Sequence, residues 1–160
     1  MSSLPLDSTN GGGRFPGFDV TTQSQHWDVA TRTKVMRRTE PTTAPRFFTE
    51  QEQATATALF NQLLYQREEP RVPVMNMVDG RLADHETDGW HYETMPPDDR
   101  AWWRSLAALD EDSEDRFGCG FAAGEWEQQA ELLHSIQDLG TQLWHGMIAA
   151  HVWSLWTRYG

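Results

Sequence analysis

The stretch TEQEQATATALFNQLL (Thr49 to Leu64) decides the fold class. Thr49 and Glu52 have the spacing of a capping box, in which each side chain accepts the other's otherwise unpaired backbone amide. Behind this start signal Ala56, Leu59, Phe60, Leu63 and Leu64 fall at helical spacing and predict a helix to about Gln66. Upstream, Asp28 can cap a helix running to about Arg38, with Val29, Val35 and Met36 as its apolar contacts. Pro41 and Pro45 then mark a linker. Downstream, Pro70 and Pro73 break the chain before a third helix over about Val74 to Ala83, with Val74, Val78 and Leu82 on one side. Residues 84–96 lack a usable period and read as an ordered loop.

Pro97 suits the first turn of a fourth helix, and Asp98 and Asp99 are favourable at its positive end. It is expected to run to about Leu109 and to bury Trp102, Leu106 and Leu109. The acidic run Asp110 to Asp115 reads as a solvated helix end or turn. Phe117 to Phe121 reads as a tight connection anchored by its two aromatics. A fifth helix from about Gly124 to Asp138 is expected to bury Trp126, Ala130, Leu133 and Ile136, and Gly140 stops it. The last predicted helix, Thr141 to Arg158, is apolar almost all round through Leu143, Trp144, Met147, Ile148, Val152, Leu155 and Trp156, and so needs cover on most sides. No segment alternates for long in the manner of a strand. The expected architecture is all-α, a single compact domain of about five or six helices over residues 20–160. A long, extended and flexible arm over residues 1–19 precedes it. That arm carries Phe15 and Phe18, unusual in a solvated tail, and they suit a groove on this domain or on a partner.

A net charge of −11 argues against neutralising phosphates, so nucleic acid and anionic membrane surfaces are disfavoured partners. The longest apolar runs are too short to cross a bilayer. The opening MSSLPLDSTNGGG has neither a basic start nor an apolar run, so a cytoplasmic location is expected. A single cysteine, Cys119, excludes an internal disulfide and a cysteine-ligated cluster in this chain. There is no GxGxxG, no GxxxxGKS and no GxSxG, so the usual dinucleotide, phosphate and serine-nucleophile sites have no sequence basis.

Eight tryptophans in 160 residues is several times common usage, and Trp is the type most enriched at binding hot spots. Trp102 and Trp103 are adjacent, hence about 100° apart on a helix, and cannot share one buried stripe. Trp90 and Tyr92 flank His91 in the loop, and Trp153 and Trp156 crowd the last helix. Part of this set is therefore expected on the outside. The candidate interface residues are Phe15, Phe18, Arg71, Val72, Pro73, Trp90, Tyr92, Trp153 and Trp156. No catalytic, cofactor-binding or metal-ligating residue is assigned.

The ordered motifs FPGFDV (15–20), HWDxxT (26–31), RFFTxxE (46–52), EPRVPV (69–74), DxRL (79–82) and DGWxY (88–92) resemble the gluconate 2-dehydrogenase subunit 3 family. PPD (96–98) and RFG (116–118) before Phe121-Ala122 continue the match. The resemblance implies a non-catalytic small subunit that stabilises a large flavin-dependent oxidoreductase of the glucose–methanol–choline (GMC) type. It implies no cofactor in this chain, FAD in the partner, and a sugar, sugar acid or glycoside as the substrate. Electrons would pass to a cytochrome or another acceptor. Exported relatives carry a signal, so the periplasm is the alternative location. Two other readings stay open. One is a small metal-binding or acid–base enzyme using His85, Asp88 and His91. The other is a helical module that pairs with its own copy.

Overall fold

The computed structural model describes residues 19–39, 44–69, 71–86 and 89–159, so Phe15, Phe18 and nearly all of the expected arm lie outside the described residues. The chain forms two units, Met1–Pro41 and Thr42–Gly160, divided at the Pro41–Pro45 linker. The fold is all-α, its helices joined by one small hairpin among the described residues.

In the first unit a 3-10 helix, Val20–His26, leads into α1, Val29–Thr39. Each is capped by an aspartate. Asp19 accepts from the Thr21 amide at 2.8 Å, and Asp28 from the Thr31 amide at 2.8 Å. The Arg32 side chain donates to the Ser24 carbonyl at 2.8 Å and ties the two helices together. Val29, expected to make an apolar contact, is 79% exposed.

The second unit is built on α2, Glu50–Leu63, whose capping box forms as the sequence predicts. Ala56, Leu59 and Phe60 are buried, and α2 packs on α3 (Val74–Ala83), α4 (Asp98–Phe117), α5 (Trp126–Asp138) and a 3-10 turn at Phe121–Ala123. Burying each of these larger apolar side chains is worth roughly 1.5–3 kcal/mol. Polar ties set the angles between these elements. Asp79 of α3, almost fully buried, accepts the amides of Arg46, Phe47 and Phe48 at 2.6, 2.9 and 2.9 Å. It thereby fixes the chain entering α2.

Two expectations fail. The fourth helix does not stop near Leu109: α4 continues through the acidic run to Phe117 and ends at Gly118, whose φ of 75° is the left-handed conformation that glycine adopts readily, so the run is a helix end, one of its two readings, with Glu111, Glu114 and Asp115 exposed. Within the run Asp110 accepts from Thr55 Oγ1 of α2 at 3.0 Å and from the Phe121 amide at 3.0 Å, and Ser113 is buried. The last helix does not begin at Thr141. Leu143–Trp144 (β1) pairs antiparallel with Met147–Ile148 (β2), and α6 spans Ala149–Tyr159. The turn residues His145 and Gly146 have φ of 45° and 74°, the pair of positive values a two-residue hairpin turn requires. The helix that seemed apolar all round is therefore two elements. Trp144 and Met147 turn inward from the hairpin, and Val152, Leu155 and Trp156 from α6.

In the core Trp102 is fully buried, with Phe48, Phe60 and Tyr159 around its ring. Trp103 is 40% exposed and stacks on Phe47 at 4.9 Å, so adjacent tryptophans do face opposite ways. In α5 the buried residues are Gln129, Leu132, Leu133 and Ile136, whereas Trp126 and Ala130, expected to be buried, are only half-buried.

Candidate functional site

The loop from Gly89 to Pro97 leads into α4 and carries two exposed aromatics, Trp90 and Tyr92. Gly89 enters it at a φ of 76°. Trp90 is 52% exposed and meets Tyr92 edge-to-face at 5.2 Å. The Tyr92 ring lies flat on His151 of α6, 3.6 Å between centroids and 2° between planes. Thr94 Oγ1 is 3.1 Å from His151 Nδ1, and Met95 is buried beneath the loop with its amide donating to the Tyr92 carbonyl at 2.8 Å.

An ion pair clamps this loop to the end of α6. Arg158 reaches both oxygens of Asp98 at 3.2 Å, and the Tyr159 hydroxyl donates to Asp98 at 2.7 Å. The Asp98 side chain is 5% exposed and that of Arg158 18%, so water screens the pair little. The carboxylate also sits in the first turn of α4, where the helix dipole favours a negative charge. The Arg158 guanidinium then lies 4.9 Å from the Trp90 ring centre, and Arg81 lies 4.5 Å from that of Tyr159. Trp90 is thus half in solvent on a frame fixed by stacking, a buried ion pair and cation–π contacts. An aromatic held this way loses little entropy on docking.

The remaining candidates lie elsewhere. Arg71 Nε pairs with Glu69 at 3.2 Å and Arg71 Nη2 donates to the Arg67 carbonyl at 3.1 Å. Val72, 56% exposed, exchanges two hydrogen bonds with the Gln66 side chain, and Pro73 leads into α3. Arg71 lines a groove beside α2 that shares no lining residue with the Tyr92–His151 region. Trp153 is half-buried against Trp156, ring centres 6.0 Å apart. Trp156, a candidate for the outside, is fully buried and donates from Nε1 to Ser105 Oγ at 3.0 Å, so it belongs to the core.

Of the acid–base candidates, His91 Nδ1 lies 3.0 Å from the Tyr92 carbonyl, His85 takes a φ of 55° just past α3, and Asp88 lies outside the described residues. Sequence reasoning missed a second histidine cluster. His145 Nε2 is 2.7 Å from Asp112 Oδ1, His145 Nδ1 is 3.5 Å from Glu111, and Trp144 Nε1 donates to Asp112 Oδ2 at 2.7 Å. Both ring nitrogens face carboxylates of α4, so the imidazole staples the hairpin to α4 and does not point outward as a base. Among the described residues no three His, Cys, Asp or Glu side chains gather as metal ligands, and no helix is long and apolar enough to cross a membrane.

A family model described as gluconate 2-dehydrogenase subunit 3 matches residues 30–159, and the chain belongs to that family. No curated protein and no solved structure matches it.

Proposed function

From that membership we propose that the chain is a non-catalytic small subunit which binds and stabilises a large flavin-dependent oxidoreductase subunit of the GMC type. The FAD and the groups that act on a sugar, sugar acid or glycoside belong to that partner, which passes electrons to a cytochrome or another acceptor. The observation that carries the reading is Trp90, half exposed on a frame fixed by Asp98, Arg158 and the Tyr92–His151 stack. A large, rigid aromatic with a neighbouring guanidinium is the composition of a binding hot spot. Beside it Asp98 accepts from Arg158 Nη2 and from the Tyr159 hydroxyl.

The test is co-expression of this chain with its flavoprotein, followed by size exclusion with flavin absorbance recorded on the eluting complex. A complex of near-equal amounts is expected, with a flavoprotein that melts higher in the complex than alone. Trp90→Ala should weaken association by about 2 kcal/mol, roughly thirtyfold in Kd. Separate elution of the two wild-type chains would end the reading. Unchanged affinity in Trp90→Ala would move the interface off this face.

A further inference from the structure

Among the described residues one ring pair is built unlike the rest. The Tyr92 and His151 rings are parallel to within 2°, with centres 3.6 Å apart. The other pairs have centres 4.9–6.0 Å apart, and all but Phe47–Trp103 meet edge-on or tilted. Stacked atoms settle no closer than about 3.5 Å, so the Tyr92 and His151 centres lie within about 1 Å of direct overlap. Two neutral rings avoid that arrangement because both present a negative face. A protonated imidazole has no such conflict, being a flat cation laid on the phenol face. The geometry therefore selects the imidazolium form of His151.

The surroundings accommodate the second proton. His151 Nδ1 lies 3.1 Å from Thr94 Oγ1, which can accept, and Nε2 bonds to no described residue, so no donor requires it bare. The ring is half-buried and not sealed from water. The charged and titratable groups beside it come from three elements. The loop supplies Tyr92 and the exposed His91, α4 supplies Asp98, and α6 supplies Arg158. Asp98 and Arg158 pair with each other, so their charges offset. His151 also stands in the first turn of α6, where the helix dipole works against a cation. Two leading amides of that turn already donate to the Gln142 and Gly140 carbonyls, at 3.0 and 2.8 Å, which weakens the opposing field.

We propose that His151 is a proton-operated latch on the docking face: the protonated ring holds Tyr92 and the loop that presents Trp90, and loss of the proton loosens that loop and weakens binding of the flavoprotein. The proposal rests on the accessory-subunit reading and adds regulation to the Trp90 face. His151 supplies two of the ties between the loop and α6, the stack on Tyr92 and the contact with Thr94. A contact made by the protonated ring alone contributes at low pH and is lost as pH rises through the histidine range, about pH 5 to 8.

The test begins with the full chain alone. Hydrogen exchange gives the protection of the Met95 amide, which donates to the Tyr92 carbonyl at 2.8 Å, with the intrinsic rate divided out. Measured at about pH 5.5 and about pH 8, protection should be about three- to fivefold higher at the acid end, the size of an exposed cation–π contact. His151→Arg, a planar cation at both pH values, should keep protection high throughout. His151→Phe should keep it low throughout, and His91→Gln should leave the wild-type response intact. Equal protection at both pH values in the wild type, or the wild-type response in His151→Phe, overturns the latch whether or not the flavoprotein binds. In the complex, affinity should be higher at the acid end by a similar factor, and His151→Arg should abolish that difference. A latch that responds in the isolated chain while affinity ignores pH overturns the coupling to docking. Wild-type chains that elute separately at both pH values overturn the accessory-subunit reading and the docking half of the proposal, and the Met95 measurement still decides the latch.

Discussion

Two carboxylates on α4 tie down the C-terminal segment, and they do so in opposite surroundings. Asp98, in the first turn, has a side chain only 5% exposed and meets a guanidinium and a phenol. Asp112, near the far end, has a side chain 28% exposed and meets an imidazole and an indole. Drawn as contacts, the two look alike. Their energetics differ, because a buried charge that loses its partner keeps its desolvation penalty, whereas a half-exposed one recovers water. Asp98 also holds Arg158 under Trp90, so the buried tie alone reaches the proposed docking face.

The largest effect expected from breaking the comparison is at the buried end. Asp98→Ala removes a buried carboxylate that accepts from the Arg158 guanidinium and the Tyr159 hydroxyl, and should cost about 3–5 kcal/mol. Thermal unfolding should fall by roughly 6–20 °C for a chain of this size. Trp90 would lose its fixed support, so affinity for the proposed flavoprotein partner should drop even at temperatures where the variant is folded. A melt within about two degrees of wild type would show that the Asp98 tie has no special weight.

Asp79 sharpens the comparison by removing the cation from it. Its carboxylate is as buried as that of Asp98, yet it accepts from three backbone amides. Asp79→Ala strands the buried Phe48 amide and loosens the approach to α2, for about 2–4 kcal/mol by denaturant titration. Asp79→Asn, which retains one acceptor oxygen, should lose less. Equal losses in the two variants would mean that packing, and not the amide cradle, carries the effect.

At the half-exposed end Asp112→Asn keeps an acceptor for Trp144 Nε1 and gives up the charge facing His145. The expected loss is about 1 kcal/mol, and added salt should shrink it. A loss as large as that of Asp98→Ala, unaffected by salt, would erase the distinction between the two ends.

Much of the fold was legible because its signals are local. The Thr49–Glu52 box, Pro97 ahead of α4, the Asp28 cap and the Trp102/Trp103 split each depend on residues within one turn. The failures have a shared physical cause. Asp110 and Asp112 look like solvent-facing charge until α2, the Phe121 turn and the hairpin are brought against them. Two-residue strands are too short to alternate, and His145-Gly146 lacks the Asn or Asp that usually announces such a turn. At the candidate site Trp90 and Tyr92 could be singled out from composition. The clamp beneath them could not, because Arg158 and Asp98 are 60 residues apart in sequence. Trp156 was misplaced for the same reason, since crowding on one helix does not say which tryptophan another helix will cover.

The smallest expected effect belongs to a carboxylate with no burial at all. Asp28 caps α1, and hydrogen bonds from the Thr31 amide, then from its hydroxyl, hold the carboxyl below its ordinary value. A folded-state pKa that is depressed contributes stability above the unfolded value, and that contribution disappears as pH falls through the folded one. The window therefore lies below about pH 4, and near neutrality the cap is fully engaged. Asp28→Ala should raise the exchange rate of the Thr31 amide severalfold at neutral pH and leave the pattern in α4 unchanged. In the wild type the same local opening should appear only on acidification below about pH 4. If Thr31 exchanges at one protection factor from pH 7 down to about pH 3, the cap carries no proton-linked stability. The ordering from buried pair to exposed cap would then rest on the α4 carboxylates alone.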